Sequence, residues 1–299
     1  MVTHETSQDI NDPPRHEHME VVPRRSVLRF VPPLIVVFVG LALLQSVVLN
    51  PNFEWPLVGS YLFSTAILEG LATTLGLTAM CMLTGAVLGI IIAVMHRSEH
   101  WLVVGFAKVY IWFFRGTPIL VQLIFWYNLA ALFPNLSIGV PFGPSLFTVN
   151  TNTLITPFMA AFLGLSLNEG AYMAEIVRAG IGSVDTGQEE AARAIGMTRL
   201  RAMRRIVLPQ AMPFIIPPTG NETIGMLKMT SLVSVISLSD LLYSAQTIYS
   251  RNFEVIPLLL VCCCWYLLLT SVLTVIQGRI ERHYARGRHS ATPQPGERT

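Results

Sequence analysis

The sequence predicts an all-α integral membrane protein with six transmembrane helices, and three observations carry that prediction. Of 299 residues, 52% are hydrophobic and 13% are charged, about half of the roughly 25% that keeps a soluble domain wet. Apolar runs of the ~20 residues a bilayer requires recur along the chain. A net charge of only +2 hides a one-sided distribution of Lys and Arg. The same small charge, with no basic stripe interleaved with aromatics, excludes nucleic acid as a partner.

Residues 1–29 are polar, contain Pro13, Pro14 and Pro23, and read as a disordered cytoplasmic tail. The run 30–49 is longer than a signal-peptide core and lacks a small-residue cleavage site. It reads as a retained spanning helix, with a cleaved signal sequence as the alternative. Further spans are expected at about 66–95, 104–133, 155–179, 212–242 and 254–278. The third span is interrupted by Arg115-Gly116-Thr117-Pro118 and the fifth by Pro217, Pro218 and Gly220, so neither is expected to be a straight rod. Gly85 and Gly89 give the second span a small-xxx-small face for close helix contact. Residues 284–299 read as a second disordered cytoplasmic tail.

Cys81, Cys262, Cys263 and Cys264 lie in apolar runs without metal-ligand or disulfide spacing and read as small buried hydrophobes. The histidines fall in the tails or in the connection after the second span, poor positions for chemistry. No metal site is expected.

Lys and Arg orient the chain. With the N-terminus inside, every basic residue except Lys228 and Arg251 falls in an inside segment. Six crossings keep both basic termini cytoplasmic, whereas five or seven would put one of them outside.

The longest inside connection, about 180–211, reads as structured. Thr186 is placed to cap a helix, with Glu189 three residues later as in a capping box. Good helix formers follow, and Gly196 permits the left-handed turn that ends the helix. Thr198 is placed to cap a second helix over about 199–207, with Leu200, Met203 and Val207 on one side and Arg201, Arg204 and Arg205 on the other. Pro209 is expected to stop it. On periodicity alone, this is either a rigid knob offered to a cytoplasmic partner or an interfacial helix lying on anionic lipid.

The residue pattern separates these readings. Glu190-Ala191-Ala192, three residues, Gly196, nine residues, then Ile206-Val207-Leu208-Pro209 resembles the EAA motif, E-A-A-x3-G-x9-I-x-L-P, of the membrane subunits of bacterial ABC importers. Gly170 to Gly180 upstream, Arg115-Gly116-Thr117-Pro118 with Leu120-Val121-Gln122-Leu123, and Pro217-Pro218-Thr219-Gly220-Asn221-Glu222 downstream extend the likeness to the polar amino acid permeases. It covers about 66–283, a five-helix importer core to which the first span is an addition. The resemblance implies a permease subunit in a bacterial cell membrane, paired with a second, identical or related, permease subunit. It implies cytoplasmic ATPases docked on Glu190, Ala191, Ala192, Gly196, Arg201, Arg204, Ile206, Leu208 and Pro209, and an external binding protein that delivers substrate. The chain departs at Met229, where many relatives carry Asp, and at Glu169, where relatives carry a small polar residue.

No G-x4-G-K-[ST] occurs, so the chain lacks a phosphate cradle of that kind. It is expected to be non-catalytic and to hold no cofactor, with ATP and Mg on the partner ATPase. Polar residues inside the spans cost roughly 3 kcal/mol per charge and need partners or a purpose. Asn168, Tyr172 and Glu175 share a helical face, as do Asn221 and Lys228. An amino acid zwitterion needs both an anion and a cation or their hydrogen-bonding equivalents, and broken helices supply such groups. Gln122, Asn168, Glu169, Tyr172, Asn221, Glu222, Lys228, Thr230 and Ser231 are therefore candidate pathway residues. Structural pairing, Glu169 with Lys228 or Glu175 with Arg178, is the competing reading. An ion-gradient-driven transporter and a non-transporting membrane scaffold are the competing functions.

Overall fold

A computed structural model describes residues 30–139 and 145–285. Of the tails expected to be disordered, 1–29 and 286–299 lie outside the described residues, while 284 and 285, the start of the second, are helical in the last turn of α13. Two compact units divide the chain, Met1–Phe53 and Glu54–Thr299. In the first, α1 spans Val31–Leu49, with Pro32 and Pro33 in its opening turn, where their missing N–H groups have no helical partner to lose. It is apolar all round, as a helix solvated by lipid must be.

In the second unit, α2 (Trp55–Tyr61) leads into α3 (Thr65–His96), then α4 (Trp101–Gly116), α5 (Ile119–Tyr127) and α6 (Leu129–Leu132). An antiparallel pair, β1 (Asn135–Gly139) and β2 (Ser145–Asn150), pairs Asn135 with Asn150 and adds a small sheet to the helical fold. The short α7 (Thr151–Leu154) precedes α8 (Pro157–Gly182), then α9 (Thr186–Ala194) and α10 (Arg199–Ala202). A π-helical turn, Met203–Val207, runs into α11 (Leu208–Met229). A 3₁₀ segment, Thr230–Ile236, then α12 (Leu241–Asn252) and α13 (Val255–Ala285) complete the unit.

The core is the seam between α3 and α8. Gly85 and Gly89 create it as the spacing predicts: a Cβ at Gly85 would collide with the side chain of Glu169, and one at Gly89 would meet Met173 and the backbone nitrogen of Ala174 at 2.8 Å. Leu77, Cys81, Leu123, Leu165 and Met226 fill the space beside the seam.

Among the described residues, α1, α3 and α13 are each long and apolar enough to cross a membrane. The count reaches five if each of two bent pairs is one span. The fourth expected span, α8, is not among them, because Asn168, Glu169, Glu175 and Arg178 interrupt its apolar run. The expected break in the third span is a 100° bend between α4 and α5, with Pro118 as the N-cap of α5. In the fifth, the structure departs from expectation. Pro213, Pro217 and Pro218 sit inside an unbroken α11. The break comes later, at a 3₁₀ segment ending in left-handed Ser237 (φ 59°). Residues 243–253, expected as an outside loop, instead form most of α12, whose N-cap Asp240 accepts from the backbone N–H of Tyr243 at 2.9 Å. Cys81 and Cys262 are buried as expected, but Cys263 and Cys264 are exposed on the outer side of α13.

Candidate coupling and translocation sites

The segment from α9 to α10 is built by two local devices. Asp185, and not Thr186, caps α9: its carboxylate accepts from the N–H of Gly187 at 2.7 Å. Thr186 is the first helical residue, and Glu189 pairs with arginines instead of closing a capping box. At the other end, the N–H of Gly196 donates to the carbonyl of Arg193 at 2.9 Å and the N–H of Met197 to that of Ala192 at 3.0 Å. With Gly196 at φ +79°, these two bonds form a Schellman turn. The A-x3-G spacing thus has a mechanical meaning: Ala192, only 1% exposed, is the residue over which the chain folds back, and Gly196 supplies the left-handed backbone. A Cβ on Gly196 would meet nothing within 4 Å, so only the φ angle restricts the position.

Thr198 is the N-cap of α10 as expected but contributes no side-chain hydrogen bond. Pro209 does not stop the second helix. The π-turn at Met203–Val207 has already changed the register, and Pro209 falls in the first turn of α11, where no N–H is needed. Leu200 does not share burial with Val207 either. Ile195 (77% exposed) and Leu200 (78% exposed) flank the Gly196 turn and project from it. Glu190, Ala191, Arg201 and Arg204 are also exposed, Ile206 and Leu208 half-buried.

Two ion pairs tie this knob to the connection between α3 and α4, a contact that sequence spacing does not reveal. Arg97 Nη2 lies 3.3 Å from Glu189 Oε2, and Arg199 Nη1 lies 2.5 Å from Glu99 Oε1. Glu189 also receives Arg193 at 2.7 Å. The Arg193 hydrogen bond holds the Glu189 carboxyl below the usual carboxylate range, and Arg199 does the same for Glu99.

The second site surrounds the α4–α5 bend. Turning the chain at Pro118 releases carbonyls of the last turn of α4, and side chains meet them. Gln122 Nε2 donates to the carbonyl of Phe114 at 3.0 Å and to Thr117 Oγ1 at 2.7 Å; Asn168 Nδ2 donates to the same Phe114 carbonyl at 2.7 Å. Both side chains are buried, so their first role is to satisfy the bend. Beside it, Arg115, Thr117, Asn168, Tyr172, Glu222 and Met229 line a cavity of about 450 Å³. Arg115 stacks over the Tyr172 ring, its Cζ 5.1 Å from the centroid. Met229 presents a thioether to this cavity.

The remaining candidates separate. Glu169 is 0% exposed in the α3–α8 seam, with no hydrogen-bond partner for either carboxylate oxygen among the described residues. Asn221 and Lys228 are exposed on α11. Lys228 is in none of the ion pairs found among the described residues, so Glu169 and Lys228 are not paired, whereas Glu175 and Arg178 are. Thr230 Oγ1 donates to the carbonyl of Leu227 and Ser231 Oγ to that of Lys228, both at 2.7 Å, which finishes the end of α11. Sequence reading missed Gln277 on α13. Its Nε2 donates to the carbonyl of Pro217 at 2.6 Å, and it fills the space a side chain at Gly220 would need. Gly220 is thus a contact point between helices and not a break. Among the described residues no group of His, Cys, Asp or Glu is arranged to hold a metal ion.

The long apolar helices, the 100° bend between α4 and α5 and the Schellman-turned knob are those of a helical membrane protein. The chain matches the family model described as "Binding-protein-dependent transport system inner membrane component" over residues 85–286, and it belongs to that family. It is 44% identical over 272 residues to the arginine transport system permease protein ArgU of Corynebacterium glutamicum, covering 90% of this chain and 84% of that protein. It is 35% identical over 217 residues to the arginine transport system permease protein ArtQ of Bacillus subtilis, covering 72% and 91%. Among solved structures, it resembles "an amino acid ABC transporter with histidines" at TM-score 0.61 and 36% identity, covering 73% of this chain and 94% of that one. The inward-facing MetNI methionine ABC transporter shares the fold at TM-score 0.54 and 18% identity, covering 75% and 97%.

Proposed function

We propose that this chain is the non-catalytic membrane subunit of an ATP-driven importer for polar amino acids, and that it couples a separate cytoplasmic ATPase to translocation through the α9–α10 knob. The observation that carries this reading is the Schellman turn at Gly196, which holds exposed Ile195 and Leu200 at the tip of a rigid two-helix element. An apolar tip on a charged knob is what a protein groove would cover. The motion of a closing ATPase pair would pass along the π-turn into α11, which lines the polar cavity at Glu222 and Met229. Arg115 and Glu222 at that cavity offer one charge of each sign to a zwitterion, and the arginine permeases among its relatives make a basic amino acid the first substrate to test. Six crossings with both termini cytoplasmic is the reading that takes each bent pair as one span and α8 as a further span lined by protein, and the sidedness of Lys and Arg supports it. Its partners are the ATPase with its ATP and Mg, a second permease subunit, and an external binding protein.

Reconstitution with ATPase and binding protein in liposomes tests this. Uptake of labelled arginine or another polar amino acid, with ATP hydrolysis stimulated by loaded binding protein, is the expected result. Vanadate-insensitive uptake without the ATPase would establish an ion-driven transporter instead, and stimulated hydrolysis without uptake of any amino acid a scaffold.

A further inference from the structure

A second cavity, of about 1020 Å³, lies between α3, α8, α10, α11 and α13, away from the polar cavity. That is the top of the size range that holds a drug-sized ligand. Its walls are Ile90, Val94, Met173, Val177, Ile216 and Ile280. At one end the lining changes to Arg97, Ser98 and Arg199; the other polar side chain, Thr219, donates its hydroxyl to the Ile215 carbonyl at 2.8 Å. Ile90, Val94 and Ile280 are themselves exposed, so the groove opens sideways along α3 and α13 and is not an enclosed void.

We propose that this groove is a binding site for an anionic phospholipid of the cytoplasmic leaflet, its phosphate at Arg97 and Arg199 and its acyl chain along α3 and α8. Depth supports this occupant. Along α11 the lining runs from Leu208 to Gly220, about 18 Å at the helical rise, enough to match the ~15 Å hydrocarbon depth of one leaflet. A protein groove docked on the knob would cover its tip, not a slot running that far up between spanning helices. Hydrogen-bonding capacity supports it as well. Arg97 and Arg199 each meet a carboxylate, Glu189 and Glu99, through a single nitrogen, so each guanidinium keeps donors that a phosphate can use. The position gives the lipid a consequence: Met203, immediately after α10, lies in the same lining as the core helices, so an acyl chain bridges the coupling segment and the transmembrane core.

The proposal rests on the cytoplasmic placement of the knob, which is tested separately by labelling Ser98→Cys with a membrane-impermeant maleimide. Labelling from the outer face alone would overturn both. Native mass spectrometry of the purified permease, titrated with phosphatidylglycerol or phosphatidylcholine of matched acyl chains, tests the site. Phosphatidylglycerol should be retained preferentially, with about a fivefold loss of affinity for each arginine removed in Arg97→Gln and Arg199→Gln. Val94→Trp, which fills the groove from its exposed wall and leaves both arginines in place, should remove the adduct. Equal retention of both lipids, no effect of any of these variants, or displacement of the lipid by the purified ATPase would overturn it.

Discussion

The knob at 185–202 and the α4–α5 bend both interrupt regular helix, yet they solve the problem in opposite ways. At the knob, the chain end of α9 satisfies itself: Asp185 caps one end, the Ala192 and Arg193 carbonyls receive the turn's own N–H groups at the other, and exposed arginine pairs do the rest. At the bend, carbonyls released in the interior are met by side chains from another helix, with Asn168 reaching the Phe114 carbonyl across 54 positions of sequence. A break facing water can be local because water completes it. Inside the membrane core no solvent does so, and the partner must be imported. Substitutions that remove a donor from the bend or add bulk to the seam glycines should therefore weaken the fold, and substitutions at the knob should remove coupling while leaving the fold.

Gly89→Leu should break the comparison's buried side most severely. Its side chain would enter the Ala174 backbone, and overpacking of about 3 kcal/mol or more should abolish the monodisperse peak in size-exclusion chromatography. Gln122→Leu comes next. It leaves buried acceptors at Phe114 and Thr117 short of a donor, at about 1–3 kcal/mol, read as a lowered melting temperature. An unchanged melting temperature would mean that Asn168 alone satisfies the bend.

Gly196→Val tests the other side. Forcing a branched residue to φ +79° costs about 1–2 kcal/mol locally. The melting temperature should stay near wild type while ATP-coupled uptake falls, and Gly196→Asn, which tolerates left-handed backbone, should retain more activity. Equal loss in both would point to a role for the missing side chain, not for the angle. The arginine ties should have the smallest effect. Because Arg193 and Arg97 depress the Glu189 carboxyl, their stabilisation is present above its ordinary value of 4.5 and is lost as pH falls through the depressed one. Hydrogen exchange over α9 should quicken only below about pH 4.5, by an amount corresponding to less than about 1 kcal/mol. Glu169→Gln should sharpen the picture by its sign. It removes a carboxylate that has no partner in the seam, so stability should hold or rise in a thermal-shift measurement.

Legibility in the sequence followed the same division. That α3 closely approaches another helix could be read from Gly85 and Gly89, though not that the helix is α8, and the turn of the knob from Gly196, because each depends on backbone or on a small side chain alone. Nearest-neighbour ambiguity defeated the cap: Asp185 and Thr186 are both capping residues, and one position of helix register decides between them. The π-turn at Met203–Val207 has no composition of its own, so Pro209 read as a terminator. Pro217 and Pro218 read as a break because each removes a helix donor locally, and the packing of α13 on that turn, where Gln277 meets the Pro217 carbonyl, comes from 60 residues away. Likewise α12 lacked a long apolar run, and only the buried seat of Asp240 explains its start.

Composition and span lengths were sufficient for a helical membrane protein, since lipid solvation acts over a few residues at a time, and it was the resemblance of Glu190–Pro209 to the EAA motif that pointed to a permease. The placement of Glu169 in a seam and not a cavity, of Gln122 as a support for the bend, and of Arg97 and Glu99 beneath the knob came from the folded arrangement. Each depends on which distant helix supplies a partner to a buried or paired polar group, and local spacing holds no record of that choice.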